Sequence, residues 1–455
     1  MVVMKFGGSS VESAEAIRRV ISIVRSQEDR RPVVVVSAMG KTTNKLLALA
    51  DAAVANDPEY PHALAELRRY HWDIGIELVP SDKLEALANI VETHFRELEQ
   101  VLHGLAILRE LTPRSIDAIS SYGERLSSQI LCMALQSEGI SSVQVDAREM
   151  IISNDQHTCA VPDYAETYQR LKKHVARLTE KHVVVMGGFI AGTPEGITTT
   201  LGRGGSDFSA AIIGAGIGAE EIQIWTDVDG MMTTDPRLVS HAVALKTLSF
   251  PEAAELAYFG AKVLHPATVH PAIEMEIPVV ILNSRRPDGT GTRLIAAPRP
   301  SKNVIKAIAF KRNITLVNIH SARMLMAVGF LSKVFDVFQR WGTPVDVVTT
   351  SEVNVSMTID DPKAISQIRS DLEQFADVTI EGNLAIVSTV GEGLCDKAGI
   401  AARIFKALEH INVRMISQGA SLLNVTLVIA DTDLEAAVNA LHDEFFAELD
   451  PEVFG

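Results

Sequence analysis

Cysteine is scarce: the 455-residue chain has three, Cys132, Cys159 and Cys395. An odd number without a C-x-x-C pair excludes a disulfide framework and a cysteine-based zinc site. Long apolar runs are also lacking, and none approaches the ~20 residues that a bilayer-spanning helix needs. The first residues, Met1 to Gly8, reach glycine too soon for the apolar core of a signal peptide. Positive charge is in deficit, with 42 Lys and Arg against 57 Asp and Glu, a net charge of −15. That field repels a nucleic-acid backbone and an anionic membrane, so neither is expected as a partner. A local Lys/Arg pocket can still hold a small anion within a Debye length. The expectation is a soluble protein of a reducing cytoplasm. What is present is the composition of a folded chain, 47% hydrophobic and 22% charged, and its length suits two or three domains.

The first part alternates buried β-branched runs with helical stretches. Val2–Phe6, Pro32–Ser37, Ser142–Asp146, His182–Met186, Ile222–Thr226 and Pro278–Leu282 read as strands, and Glu12–Gln27 and Thr43–Val54 as helices. This alternation predicts an α/β fold with a mostly parallel sheet and helices on both faces. From about residue 60 to 111 the texture is helical: Leu84, Leu87, Val91, Phe95, Leu98, Val101, Leu105 and Leu108 recur at steps of three and four. A Pro-rich stretch, Ala297–Lys302, is the linker candidate. Beyond it the chain repeats itself. Gly329–Phe338 resembles Gly399–Leu408, and Ser351–Val355 resembles Ser421–Val425, both at an offset of 70, while Val345–Val348 matches Val413–Ile416 at 68. Two copies are too few for a solenoid and predict a pair of small α+β domains.

Two motifs mislead. Gly40-Lys41-Thr42 ends like a phosphate-binding loop, but position 35 is valine where that pattern needs glycine. Gly214-x-Gly216-x-Gly218 follows a helical run rather than a strand, which predicts close helix packing or a loop. Better evidence lies in loops at strand ends. Lys5-Phe-Gly-Gly-Ser-Ser10 runs from a strand into a helix, where glycine N–H groups and the helix N-terminus can face phosphate. Thr198–Asp207 packs Arg203 among glycines before a helix, and Arg203 can clamp a carboxylate while Asp207 holds a lysine or caps the helix. Trp225-Thr-Asp227 closes a strand, with the turn formers Thr233–Arg237 after it. Lys262, in a helix that Pro251 opens, can reach a phosphate or complement the helix C-terminus. Ser121-x-x-Glu124 has the form of a capping box, and only a ligand amine would give its glutamate another use.

Taken in order, Lys5–Val11, Ser37–Gly40, Ser121–Glu124, Thr200–Asp207, Trp225–Asp227, Thr233–Arg237 and Phe259–Pro266 resemble the aspartokinase family, over essentially the whole chain. The resemblance implies an amino-acid-kinase catalytic domain over 1–297, with the helical insertion at about 60–111, and ACT domains over 298–380 and 381–455. It implies ATP-dependent phosphorylation of the side-chain carboxylate of L-aspartate, with Mg²⁺ carried on the phosphates and no protein metal ligand named. Lys5 and Asp207 would be catalytic, with Gly7, Gly8 and Ser9 cradling the transferred group. Thr226 and Asp227 would lie against the nucleoside, with Arg237 and Lys262 on the phosphates. Ser37, Thr43, Glu124, Arg203 and Ser206 would bind aspartate. An effector amino acid, lysine by the resemblance, would meet Met324, Gly329, Phe330, Leu331, Asp346, Thr350, Ser351 and Glu352. A homodimer or homotetramer through the ACT domains is expected. Ser9 stands where the family has threonine, and Met232 where it often has tyrosine. The alternatives are a related kinase of another acidic amino acid, and an amino-acid sensor whose kinase domain is inactive.

Overall fold

The computed structural model describes residues 1–260, 266–298, 301–322, 324, 328–394 and 396–455. The chain forms two compact units: Met1–Met231 with Leu264–Ala297, and Met232–Val263 with Pro298–Gly455. Residues 232–263, expected within the catalytic domain, thus cluster with the C-terminal unit.

The first unit begins with β1 (Val2–Phe6), α1 (Ala14–Arg25), β2 (Pro32–Val36) and α2 (Thr42–Val54). Every residue of β1 and β2 is buried, which suits strands covered on both faces. The helical stretch is α3 (Tyr60–Ile76) and α4 (Leu84–Leu108), followed by α5 (Pro113–Ser137). On α4 the buried face is Leu87, Val91, Phe95, Leu98, Leu102 and Leu105. Leu108 is 73% exposed, because the helix outlasts the surface it packs on. Then come β3 (Ser142–Val145), α6 (Ala147–Met150), α7 (Tyr164–Arg170), α8 (Ala176–Leu178) and β4 (Val183–Gly187). A hairpin, β5 (Ile190–Gly192) and β6 (Thr198–Thr200), leads to α9 (Gly205–Ile217) and β7 (Glu221–Thr226). In the other unit, the 232–263 stretch holds β8 (Thr247–Ser249) and α10 (Phe250–Tyr258); Ser249 and Glu252 close a full capping box, with Pro251 in the first turn. The first unit ends with α11 (His270–Glu274), β9 (Val279–Asn283) and β10 (Thr292–Ile295).

The first unit's strands lie in the order β3-β4-β2-β1-β7-β9-β10. All these pairs are parallel except β9 with β10. Chain order reverses beside β1, so the crevice at its carboxyl end is a topological switch point, where open α/β sheets bind ligands. Lys5 pairs in register with Val35 on one side and Ile224 on the other, one residue before that crevice.

The second unit carries a six-stranded antiparallel sheet in the order β12-β13-β11-β14-β16-β15. Its elements are β11 (Ala307–His320), α12 (Phe330–Arg340), β12 (Val348–Thr350), β13 (Asn354–Ile359), α13 (Ile365–Leu372), β14 (Asp377–Val390), α14 (Ile400–Ala407), β15 (Val413–Gln418), β16 (Asn424–Ala430) and α15 (Leu434–Phe445). The repeat is visible in α12 and α14, whose first residues are 70 apart. On α12 the buried face is Phe330, Val334, Val337 and Phe338, while Phe335 and the C-cap Trp341 are at least 40% exposed.

The two halves are not separate beads. Ala307–Lys311 of β11 pairs with Ile386–Val390 of β14, and Leu316–His320 pairs with Asp377–Glu381. The register shifts between these stretches, at Lys311/Ile314 and Ile314/Leu316. Asn313 and Asn383, also 70 apart, bend the backbone there with φ of 59° and 56°, a conformation asparagine tolerates better than most residues. The expected boundary at 380/381 falls inside β14.

Candidate active site

Lys5 is the only charged residue of β1 and is 9% exposed. An unpaired ammonium there would lose most of its hydration, so it needs an anion. Asp207, in the first turn of α9, supplies it: Lys5 Nζ lies 2.7 Å from Asp207 Oδ1. The turn after β1 is tighter than a free phosphate cradle. The Gly7 N–H is already donated to the Trp225 carbonyl at 3.1 Å, so Gly7 holds the strand end and is not the amide donor expected for phosphate. A Cβ on Gly8 would lie 2.7 Å from the Gly40 carbonyl, so glycine is needed there for backbone packing. The Gly8 and Ser9 N–H groups start a 3₁₀ turn and have no partner among the described residues. Gly40 has φ of 54° and lies two residues before α2, whose N-cap is Lys41 and whose first turn holds Thr43.

Glu124 lies in the middle of α5, whose N-cap is Thr112, so Ser121-x-x-Glu124 is not a capping box. The helix starts eight residues before Ser121, and capping needs an unpaired first turn. Glu124 is 3% exposed. Its Oε1 accepts from the Ala38 N–H at 3.1 Å, and its Oε2 has no partner among the described residues. Burial, opposed by the Ala38 bond and the Lys5 charge, pushes its pKa up to about 8. An incoming ammonium would complete it.

Close glycine contacts draw these parts together. A Cβ on Gly123 would strike that of Ala38 at 2.6 Å, one on Gly187 would meet the Glu124 backbone at 3.1 Å, and one on Gly188 would meet Ser206 at 2.8 Å. Glu124 and the start of α9 thus flank the end of β4. Ser37, at the end of β2, donates its N–H to the Phe6 carbonyl and accepts at its own carbonyl from Ser127 Oγ at 2.8 Å. Thr226 ends β7, its hydroxyl 3.3 Å from Asp227 Oδ1, and its carbonyl receives Ser284 Oγ, which also meets Ser10 Oγ at 2.8 Å. Arg203 is exposed with no ion-pair partner among the described residues, a guanidinium ready for an anion.

Sequence reasoning missed the group that holds the Arg203 loop. Asp117, fully buried in α5, accepts from His157 Nδ1 at 2.6 Å, the Thr158 N–H at 3.1 Å and Thr200 Oγ1 at 2.5 Å. Gly202, with φ of 76°, packs against the Thr158 carbonyl. Residues 117, 157 and 200 share no local pattern, so no sequence signal marks this network.

Residues 1–283 match the amino acid kinase family, and 387–445 match an ACT domain. Over 460 residues the chain is 40% identical to "Aspartokinase 1, chloroplastic" of Arabidopsis thaliana, covering 98% of this chain and 80% of that protein. The chain belongs to the aspartokinase family. Within this family, the structure of E. coli aspartokinase III in complex with lysine and aspartate superposes with a TM-score of 0.87 at 34% identity, covering 98% of this chain and 99% of that one. The same enzyme with aspartate and ADP gives 0.81 at 34% identity, covering 98% and 100%. The amino-acid-kinase fold with C-terminal ACT repeats, expected from the motifs, is the fold present.

The remaining family-motif residues lie in the second unit. Arg237 is exposed and forms a bidentate pair with Asp235 at 2.5 Å. Lys262 lies outside the described residues. Asp346 is half-buried by its neighbours: Lys311 Nζ is 3.2 Å from both carboxylate oxygens and Tyr258 Oη 3.2 Å from Oδ1. Lys311 also meets Asp360 at 2.7 Å. Burial raises the Asp346 pKa against the pull of Lys311. Asp346 precedes β12, while Thr350 ends it and exposed Ser351 and Glu352 follow. Gly329, with φ of 84°, caps α12; Phe330 is buried, Leu331 is 39% exposed, and Met324 packs on the core of the first repeat. No described helix is long and apolar enough to cross a membrane.

Proposed function

We propose that the chain transfers the γ-phosphoryl group of ATP to the side-chain carboxylate of L-aspartate, giving 4-phospho-L-aspartate, and that amino-acid binding to its ACT repeats, by lysine in the first instance, restrains it. The observation that carries the reading is the pairing of Lys5 with Asp207 at a switch point beside a buried carboxylate, Glu124, with one oxygen orphaned. The relatives that are named for aspartate and ADP support the same substrates.

A carboxylate is already nucleophilic at neutral pH, so no general base is required. Phosphoryl transfer needs in-line positioning and neutralisation of the oxygens around phosphorus. Lys5, oriented by Asp207, places an ammonium there, and the Gly8 and Ser9 N–H groups add dipoles. Glu124 Oε2 receives the α-ammonium of aspartate and Arg203 its α-carboxylate, with Ser37, Thr43 and Ser206 lining the pocket. Thr226 and Asp227 face the nucleoside, and Arg237 and Lys262 serve the phosphates. The donor chemistry fits a metal brought by the nucleotide, since Asp207 is already neutralised by Lys5. Carried in with the nucleotide, Mg²⁺ would supply charge neutralisation on the phosphates. Asp346, Glu352 and the Gly329 loop meet the effector, with Met324, Phe330, Leu331, Thr350 and Ser351 around it. The ACT edges pair in a homodimer or homotetramer, and the setting is a reducing cytoplasm.

The test is ATP-dependent hydroxamate formation from L-aspartate with Mg²⁺, with and without millimolar L-lysine. Hydroxylamine traps the acyl phosphate, so adventitious ATP hydrolysis gives no signal. Aspartate-dependent hydroxamate that falls with lysine is the expected result, and Asp346→Ala should weaken that inhibition. Folded protein that forms no hydroxamate overturns the kinase reading; inhibition unaltered in the Asp346 variant moves the effector elsewhere.

A further inference from the structure

Among the described residues, one cluster of ligating side chains is left unused by the kinase reading. His241, in the loop before β8, and His442 and Asp443, on α15, each offer a donor atom within 4.8 Å of the others. All three belong to the second unit. The two rings meet edge to face at 4.7 Å, and His241 Nε2 is 3.2 Å from Asp443 Oδ1.

His442 makes this more than a chance surface group. It is 2% exposed, on a helix whose other inward residues are apolar. Its Nε2 lies 2.9 Å from Thr233 Oγ1, and Thr233 Oγ1 also accepts from the Val243 N–H at 3.0 Å. Its Nδ1 is buried and has no partner among the described residues. A buried imidazole nitrogen without a partner is disfavoured. With Nε2 donating to Thr233, the lone pair of Nδ1 is left open, and a hydrogen-bond acceptor on the far nitrogen is how proteins orient a metal-binding histidine.

We propose that His241, His442 and Asp443 form a site for a divalent transition-metal ion of the zinc class. Two imidazoles and one carboxylate are a zinc-type donor set, with water completing the shell. The ion bonds to Nδ1 of His442 and to a carboxylate oxygen of Asp443. At His241 it takes the place of the Nε2 proton, which leaves to solvent or moves to Nδ1. Binding ties the Thr233–Val243 stretch to α15. The inference does not depend on the kinase reading.

The experiment uses the full chain, stripped with chelator and desalted, titrated with Zn²⁺ by calorimetry and with Co²⁺ by visible absorption. The expected result is a saturable site of one ion per chain, with a rise in Tm on Zn²⁺ addition. His442 is buried, so His442→Gln risks misfolding. His241→Ala and Asp443→Asn alter side chains that are 58% and 70% exposed. His241→Ala should keep the metal-free Tm and lower Zn²⁺ affinity at least about tenfold, with a smaller loss for Asp443→Asn. Surface pairs such as His62–Glu66 and His270–Glu274 remain in both variants as internal controls. Zn²⁺ affinity and Co²⁺ spectrum unchanged in His241→Ala, or no saturable binding in the parent, overturns the site.

Discussion

Among the described residues two lysines are buried against carboxylates, one in each unit, and they differ in what surrounds the pair. Lys306 and Glu252 lie 2.8 Å apart with side chains 2% and 0% exposed, and Glu252 also accepts the N–H and hydroxyl of Ser249. That pair is enclosed by its own α10 capping box and has no open side. Lys5 and Asp207 lie at 2.7 Å with side chains 11% and 14% exposed, at the end of a strand beside a crevice. The chemistry of the two pairs is the same. The closed one holds a helix start in place, and the open one can share its charge with a ligand.

If that contrast is right, removing each lysine has opposite signatures. Lys5→Ala should lower kcat by roughly 10³-fold, the order seen when one transition-state donor is lost, with little change in Tm. A kcat near that of the parent would remove Lys5 from the chemistry. Lys306→Ala should reverse the pattern: about 3–5 kcal/mol of stability lost in denaturant melts, because Glu252 is left charged and buried, with hydroxamate activity retained per folded molecule. A folded, normally stable Lys306 variant would erase the distinction.

Glu124 sharpens the same comparison, since its orphaned oxygen marks the open side. With a free-state pKa of about 8, it holds a proton at pH 7 that an aspartate ammonium must expel. The KM for aspartate should therefore fall as pH rises from 6 to 8 and then level off. Glu124→Gln keeps the shape and the Ala38 bond but carries no charge. It should raise KM by roughly 10–100-fold, as loss of a charged hydrogen bond does, and flatten the pH profile. A profile identical in both proteins would place the amine elsewhere.

Much of the catalytic unit was legible in the sequence because its signals are local. β1 begins and ends where its five apolar-rich residues predict, and the Lys5 and Asp207 motifs sit at adjoining element ends. The 70-residue repeat was visible too, down to the matching helix starts. What escaped shares one physical cause. Asp117 with His157 and Thr200, and Lys311 with Asp346, are contacts between residues 35 or more positions apart, set by how the sheets close. The capping-box form of Ser121-x-x-Glu124 fails for a local reason instead: the helix already begins at Pro113, eight residues before Ser121. Gly7, Gly8 and Ser9 were read as a phosphate cradle from their place between a strand and a helix and from the family motif, but the Gly7 N–H is taken by the Trp225 carbonyl, a partner 218 positions away that no local motif announces.

The long strands β11 and β14 have a consequence for the history of the gene. Each contributes its first half to one copy of the repeat and its second half to the other, turning at Asn313 and Asn383. Loss of residues 381–455 would cut β14 short and leave Ala307–Lys311 without its neighbour in the sheet. A duplication of beads on a string can be reversed by a simple deletion. Here such a deletion would strip Ala307–Lys311 of its partner strand, so the two copies fold as one sheet rather than as separable units.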